Sequence, residues 1–224
     1  MTLGRPRRHL RETTSTNEHA RALAVAGAPH GTLVTAGHQT AGRGRQGRTW
    51  TAPPGRALLL SLVVRDVDPL LPLRAGLAVA DLAGDRARVK WPNDVLVDGR
   101  KVAGVLVESR PQEGWTVVGI GVNAALDVND LPEELRTTAA SLGRRPAELE
   151  ATLAELLGHL ERRLHEPVAD SLAALRERDA LAGRPVRWDE NEGTGAGIGD
   201  DGALLVRGAD GTVRALDAGE VHLR

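Results

Sequence analysis

The sequence predicts an α+β chain that ends in a small β-barrel. Three observations carry this. Short β-branched or apolar runs occur at 32–36, 57–64 and 115–122, amphipathic repeats occur at 72–83, 146–165 and 168–181, and the pattern changes abruptly at Gly183. Past Gly183 the chain breaks into short segments at 185–188, 195–198, 203–206, 212–216 and 220–223, punctuated by Gly and Asp, as in a small barrel. The boundary is expected near Ala182, giving domains 1–182 and 183–224.

Each element has its own signal. Ser15 and Glu18 have the offset of a capping box, opening a helix through Ala20 to Ala26 that stops at Gly27. The strand 32–36 delivers the chain to His38, Gln39 and a glycine-spaced loop at 42–50. Residues 52–55, Ala-Pro-Pro-Gly, must be irregular, and 57–64 reads as a buried strand. Pro72 is tolerated in the first turn of the helix 72–83, and a strand at 86–91 ends in Pro92. Two apolar runs, 95–97 and 102–107, flank Asp98-Gly99, which favours a type I′ hairpin turn. After the strand 115–122, residues 124–138 have no sustained period and read as a loop, a candidate lid.

Composition excludes several functions. The 224 residues carry 29 Lys and Arg against 30 Asp and Glu, a formal net charge of -1, so no global field attracts nucleic acid or an anionic membrane. The absence of cysteine excludes disulfides, thiolate metal sites and a cysteine nucleophile. Residues 1–12 are basic but no apolar segment follows them, so no secretory signal is expected. The longest apolar run, 57–64, is too short for a bilayer and is interrupted by Ser61, so a cytoplasmic protein is expected. With no Phe or Tyr and 4 Trp, aliphatic side chains must fill the core.

Gly42-Arg43-Gly44-Arg45-Gln46-Gly47-Arg48-Thr49-Trp50 reads as an anion-binding loop. Its glycines allow close backbone approach, and Arg43, Arg45 and Arg48 offer planar donor forks for carboxylate or phosphate. The spelling matches G-x-G-x-x-G and nearly a P-loop, but both require a helix at the glycines, and Pro53-Pro54 prevent one. The second constellation is Lys90-Trp91-Pro92-Asn93-Asp94 with Lys101. Two ammonium groups and a carboxylate suit a phosphate chain and its Mg²⁺, and Gly104 within an apolar strand marks a close approach. Asn123 is either a turn former or a ligand donor. The histidines show no metal-ligand spacing, and no G-x-S-x-G elbow is present.

Taken in order, Ser15-Thr16-Asn17, residues 39–50, residues 90–94, Lys101-Val102-Ala103-Gly104 through Glu108, and Gly119-Ile120-Gly121-Val122-Asn123 closely resemble biotin protein ligase. Each motif is weak alone; their order is specific.

The resemblance implies a central mixed sheet flanked by helices, related to class II aminoacyl-tRNA synthetases, with a C-terminal SH3-like barrel. It implies that biotin and MgATP form biotinyl-5′-AMP, which acylates a lysine of a biotin carboxyl carrier protein domain. By the same correspondence Lys101, Arg45, Lys90 and Asp94 are the catalytic set, with Asp94 on Mg²⁺. Biotin would meet Ser15, Thr16, Asn17, Gln39, Gly42, Arg43, Gly44, Arg45, Trp50, Lys101 and Gly104. ATP would meet Arg43, Arg45, Arg48, Trp50, Lys90, Asn93, Asp94, Lys101 and Asn123. Residues 124–142, which should cover the adenine, contain no aromatic, and the arginine loop should order when ligand arrives.

Ser15 follows too few residues for an N-terminal DNA-binding domain, so a single-function ligase without operator binding is expected. Oligomeric state is open, a homodimer included. The competing readings are a lipoate or octanoate ligase, which needs an apolar tunnel, and a non-catalytic biotin or nucleotide sensor.

Overall fold

A computed structural model describes residues 3–65 and 68–223; Met1, Thr2 and Arg224, at the outer ends of the two expected domains, lie outside the described residues. The main sheet contains β1 (Arg7–Leu10), β2 (Leu33–Ala36), β3 (Leu58–Val64), β4 (Ala87–Lys90), β5 (Asp94–Val97), β6 (Arg100–Arg110) and β7 (Trp115–Val122), in the order β1-β2-β3-β7-β6-β5-β4. β1 and β2 are parallel and the other pairs antiparallel, so the sheet is mixed, as expected.

Strand periodicity splits this sheet into two unlike faces. Leu58, Leu60, Leu62 and Val64 of β3, with Val118, Ile120 and Val122 of β7, join the main aliphatic core. That core is closed by α2 (Leu71–Ala83) and α4 (Leu149–His165), with α5 (Val168–Glu177) beside them. Leu77, Leu156 and Leu160 are almost wholly buried there, each contributing roughly 1.5–3 kcal/mol. The alternate residues face α1 (Thr16–Val25), where Ala20 and Ala24 pack on Val34, Val63 and Val117. Ser61, Gly119, Gly121 and Gly104 also sit at alternate positions, beyond the reach of that packing. This second face holds the site.

The hairpin turn forms as expected, with Asp98 and Gly99 at φ of 50° and 77°. Residues 124–138 contain a 3-10 turn, Val128–Asp130, and a one-turn helix α3 (Glu133–Arg136). Two expectations need correction, and one strand was not expected. β1 went unread because its exposed Arg7, Arg8 and His9 carry no apolar pattern; it is defined by pairing to β2. α5 ends at Glu177, short of Leu181, because the Arg178 and Ala180 backbone groups bond to Val89 at the free side of β4. The capping box does not form: the Ser15 side chain makes no cap bond, and Glu18 accepts from Thr14 Oγ1 at 2.7 Å. Gln39 Oε1 takes the Thr16 N–H instead, at 2.7 Å, capping α1 from a different segment.

The C-terminal strands β8 (Pro185–Trp188), β9 (Asn191–Ile198), β10 (Leu204–Arg207), β11 (Val213–Leu216) and β12 (His222–Leu223) form an antiparallel sheet in the order β11-β10-β9-β8-β12. Trp91 Nε1 donates to Gly202 O at 3.1 Å, and Arg176 Nε donates to Ile198 O at 2.9 Å, tying this sheet to the main body.

Candidate active site

The cleft lies on the α1 face, and its floor is built by strand register. Leu59, Gly121, Gly104, Asp94 and Lys90 stand side by side across β3, β7, β6, β5 and β4. Two adjacent glycines leave bare backbone in the middle of this row. A Cβ on Gly121 would lie 2.6 Å from the Trp50 ring, and one on Gly104 would lie 3.3 Å from both that ring and Lys101 Nζ. Gly104 therefore marks a close approach, as its position inside an apolar strand predicts.

Lys101 and Gly104 are three residues apart and would face opposite sides of a regular strand. The pairing of β5 with β6 shifts register between Val95 and Leu96, and this bulge turns Lys101 onto the cleft face. Its Nζ lies 2.7 Å from Asp94 Oδ1 and 5.7 Å from the Trp50 ring centroid. Burial pushes the Lys90 ammonium below the ordinary lysine range; Asp94 opposes this and the charge of Lys101 adds to it. Three charged groups thus share one end of the floor.

The other end, one row along the strands, is neutral and polar. Ser61, Gly119 and Leu106 pair in register there, under the start of α1. Ser15, Thr16 and Asn17 are all buried. Thr16 Oγ1 donates to Gln39 Oε1 at 3.0 Å, and Asn17 Nδ2 donates to Glu108 Oε2 at 2.8 Å. Gly119 is required because any Cβ there would overlap the Asn17 amide.

The arginine loop closes over the cleft. It contains a short 3-10 turn, Arg45–Gly47, with Gln46 and Gly47 at positive φ, and no helix begins at its glycines. Arg43 and Thr49 bridge its base, and a Cβ on Gly42 would overlap the Trp50 carbonyl. Arg45 donates to Asn93 Oδ1 at 3.2 Å and to Gly219 O at 3.0 Å, while Arg48 forms an ion pair with Glu220. Gly44, Arg43, Arg45, Arg48 and Trp50 thus share a cleft with Lys90, Asn93, Asp94 and Lys101, although they lie 40 residues or more apart in sequence.

Asn123 is placed differently from the expectation that it meets ATP. Its amide donates to Ala140 O at 3.0 Å, and it does not line the cleft. No residue of 124–142 lines the cleft either. Thr138 and Ala140 instead exchange backbone hydrogen bonds of 2.7 Å with Lys101, so this stretch braces the lysine instead of covering the floor.

Sequence reasoning missed Ser61, Leu106, Glu108 and the Gly219-Glu220-Val221 turn as parts of the site. A serine inside an otherwise apolar strand was a usable signal for Ser61; the Gly219-Glu220-Val221 turn shares in the family resemblance, but nothing in it tells that it reaches the cleft. Among the described residues no cluster of three or more His, Asp or Glu could hold a metal.

The glycine floor thus has a neutral polar pocket at one end and Lys90, Asp94 and Lys101 at the other. The sequence matches the biotin/lipoate A/B protein ligase family over residues 10–124 and the biotin protein ligase C terminal domain over residues 183–224. It is 37% identical to a biotin–[acetyl-CoA-carboxylase] ligase of Mycobacterium tuberculosis, covering 95% of this chain and 87% of that one. It is 34% identical to the bifunctional ligase/repressor BirA of Bacillus subtilis, covering 92% of this chain and 70% of that one. The biotin protein ligase from Aquifex aeolicus, solved in complex with biotin and ATP, superposes with a TM-score of 0.84 at 27% identity, covering 98% of this chain and 99% of that one. The chain belongs to the biotin/lipoate A/B protein ligase family, and within it to the biotin protein ligases.

Proposed function

We propose that this chain joins biotin to ATP, releases pyrophosphate, and passes the biotinyl group from biotinyl-5′-AMP to a lysine of a biotin carboxyl carrier protein domain. The observation that carries this is the arrangement of the floor: the neutral pocket of Thr16, Asn17 and Gln39 lies by Gly119, one row (about 7 Å) along the strands and two to three strands (about 10–14 Å) across the sheet from Asp94 and Lys90. A ligand with a polar neutral head and a carboxylate tail matches that polarity. The head would hydrogen-bond to Ser15, Thr16 and Gln39, and the body would lie on Gly104 and Gly121 against Trp50.

In the first step a carboxylate oxygen bonds to the α-phosphorus and pyrophosphate leaves. Crowding these anions requires fixed cations, which Lys90, Lys101, Arg43, Arg45 and Arg48 would supply. Lys101, braced by the backbone of Thr138 and Ala140, would hold charge on the attacking carboxylate oxygen and on the oxygens of the α-phosphate whose phosphorus it bonds. In the second step the carrier amine bonds to the acyl carbon, loses one proton, and AMP leaves. The arginine loop, anchored at Asn93, Gly219 and Glu220, keeps water from the mixed anhydride. Of the two carboxylates that line the cleft among the described residues, Glu220 is paired with Arg48 and Asp94 with Lys101, so Asp94 would hold Mg²⁺ only as an ion carried mainly by the phosphates, where it would neutralise charge on the leaving group.

The lipoate reading needs an apolar tunnel, whereas this end of the cleft is lined by the polar Ser15, Thr16, Asn17 and Gln39. A change of pattern near Ala182 supports a catalytic domain over 1–182 and a small domain over 183–224. ATP as substrate supports a cytoplasmic location, with which a chain without cysteine is compatible.

The test is pyrophosphate release with biotin and ATP, followed by the mass gain of a carrier domain. Lys101→Ala should lower the release rate by about 10²–10³ while the fold is retained. Equal rates for the two proteins would remove Lys101 from this role, and release with lipoate but not biotin would overturn the assignment.

A further inference from the structure

The floor of the neutral pocket continues into a hydrogen-bonded chain that runs from the buried Ser61 through Asn17 to the partly exposed Glu108 of β6. Asn17 Nδ2 lies 2.8 Å from Glu108 Oε2 and 3.4 Å from Leu106 O, both acceptors. The amide can therefore be oriented in only one way, with Oδ1 turned to Ser61 Oγ at 2.6 Å. An amide oxygen cannot donate, so the single Ser61 proton goes to it. Ser61 Oγ is also 2.8 Å from Thr16 Oγ1, and it has no second proton to offer there.

Gln39 is oriented in the same manner, because its Oε1 receives the Thr16 N–H at 2.7 Å. The single Thr16 hydroxyl proton then goes to one of two acceptors on the protein side, Gln39 Oε1 at 3.0 Å or Ser61 Oγ at 2.8 Å, and the second contact holds it there. Thr16 Oγ1 is left with a lone pair facing the cleft. Arg21 Nη1, 3.5 Å from Glu108 Oε1, holds the carboxylate at the outer end of the chain.

We propose that Glu108 and Ser61 are positioning residues that, through Asn17, turn Thr16 into a fixed acceptor for a ligand N–H, making the pocket selective for a ureido group. The inference rests on the biotin reading of this cleft. Ser61 is completely buried and stands between Leu59 and Val63 in an apolar strand, where an alanine would serve packing equally well. A buried hydroxyl at such a position is retained for its hydrogen bonds.

The experiment is a binding cycle by calorimetry, using biotin and a biotin analogue methylated on the ureido nitrogens. Ser61→Ala should weaken biotin about tenfold, the loss expected for one buried hydrogen bond, and should change the methylated analogue less than twofold, since that ligand has no N–H to lose. KM for ATP should stay within about twofold of the unsubstituted protein. Glu108→Gln keeps an oxygen for Asn17 and should bind biotin as the unsubstituted protein does, whereas Glu108→Met should behave as Ser61→Ala does. Equal weakening of both ligands, or a Glu108→Gln protein as weak as Glu108→Met, would overturn the proposal. If Ser61→Ala does not fold, the Glu108 pair decides the question alone. An unsubstituted protein that binds no biotin would sink the biotin reading itself, a separate outcome.

Discussion

Lys90 and Lys101 share a type of side chain and a cleft but differ in what their surroundings do to them. Lys101 is paired with Asp94 at 2.7 Å, whereas burial lowers the affinity of Lys90 for its proton. The consequences for pH have opposite signs. As pH rises through the lowered folded value, Lys90 loses its charge and ATP binding weakens, below the ordinary lysine value of 10.5. Over the same window the unfolded chain binds more protons than the folded one, so stability increases. A pH series of KM for ATP should thus rise on the alkaline side, and Lys90→Arg should flatten it, because guanidinium stays charged. An alkaline limb that persists in Lys90→Arg assigns it to another group.

At the scale of elements, β7 shows how spacing makes a site. Val118, Ile120 and Val122 bury themselves on the core face, and the intervening Gly119 and Gly121 clear the other face for Asn17 and Trp50. Gly121→Ala should push the Trp50 ring off the floor, shift its fluorescence to the red, and weaken biotin binding by about 10–100-fold, corresponding to an overpacking cost of ~1–3 kcal/mol. Unchanged emission and affinity would show that the ring does not depend on that space. On the core face α2 and α4 are clamped by Asp81, which accepts from Arg162 at 2.6 Å and from Arg163 at 2.7 and 2.8 Å. Burial alone would raise the Asp81 carboxyl, but the Arg163 and Arg162 bonds outweigh it and hold it below 3.8. Its stabilisation is present at neutral pH and is lost as pH falls through that lowered value. Asp81→Asn should cost about 2 kcal/mol in urea unfolding, less than for a fully buried pair because Arg162 is half exposed. The deficit should shrink at strongly acidic pH.

Across the whole molecule, the arginine loop joins two parts of the chain that sequence separates widely. Arg45 and Arg48 reach Gly219 and Glu220, which precede the last strand of the C-terminal sheet. The small sheet thus contributes a wall of the cleft, and Gly219, Glu220 and Val221 line it. Because Arg48 is exposed, its pair with Glu220 is worth only a fraction of a kcal/mol to about 1 kcal/mol. Glu220→Ala should accordingly speed trypsin cleavage at Arg43, Arg45 or Arg48 about threefold; an unchanged rate would show that the other anchors suffice. No helix among the described residues is long and apolar enough to cross a membrane.

Much of this was legible in the residues themselves. Alternation in β3 and β7, the Leu repeat of α4 and the Asp98-Gly99 turn are local signals, since period and turn chemistry depend on near neighbours. Pro53-Pro54 likewise exclude a helix after the glycine loop without reference to anything distant. Only the tertiary structure decided which face of each strand became the site, that a bulge would carry Lys101 across to Asp94, and that Gln39 would displace the Ser15–Glu18 cap. It also drew Asn123 into bracing Lys101, and joined Ser61 to Glu108 through Asn17. These depend on register and on groups brought together from 22 to 91 residues apart, and hydrogen bonds over such spans leave no periodic trace in a sequence.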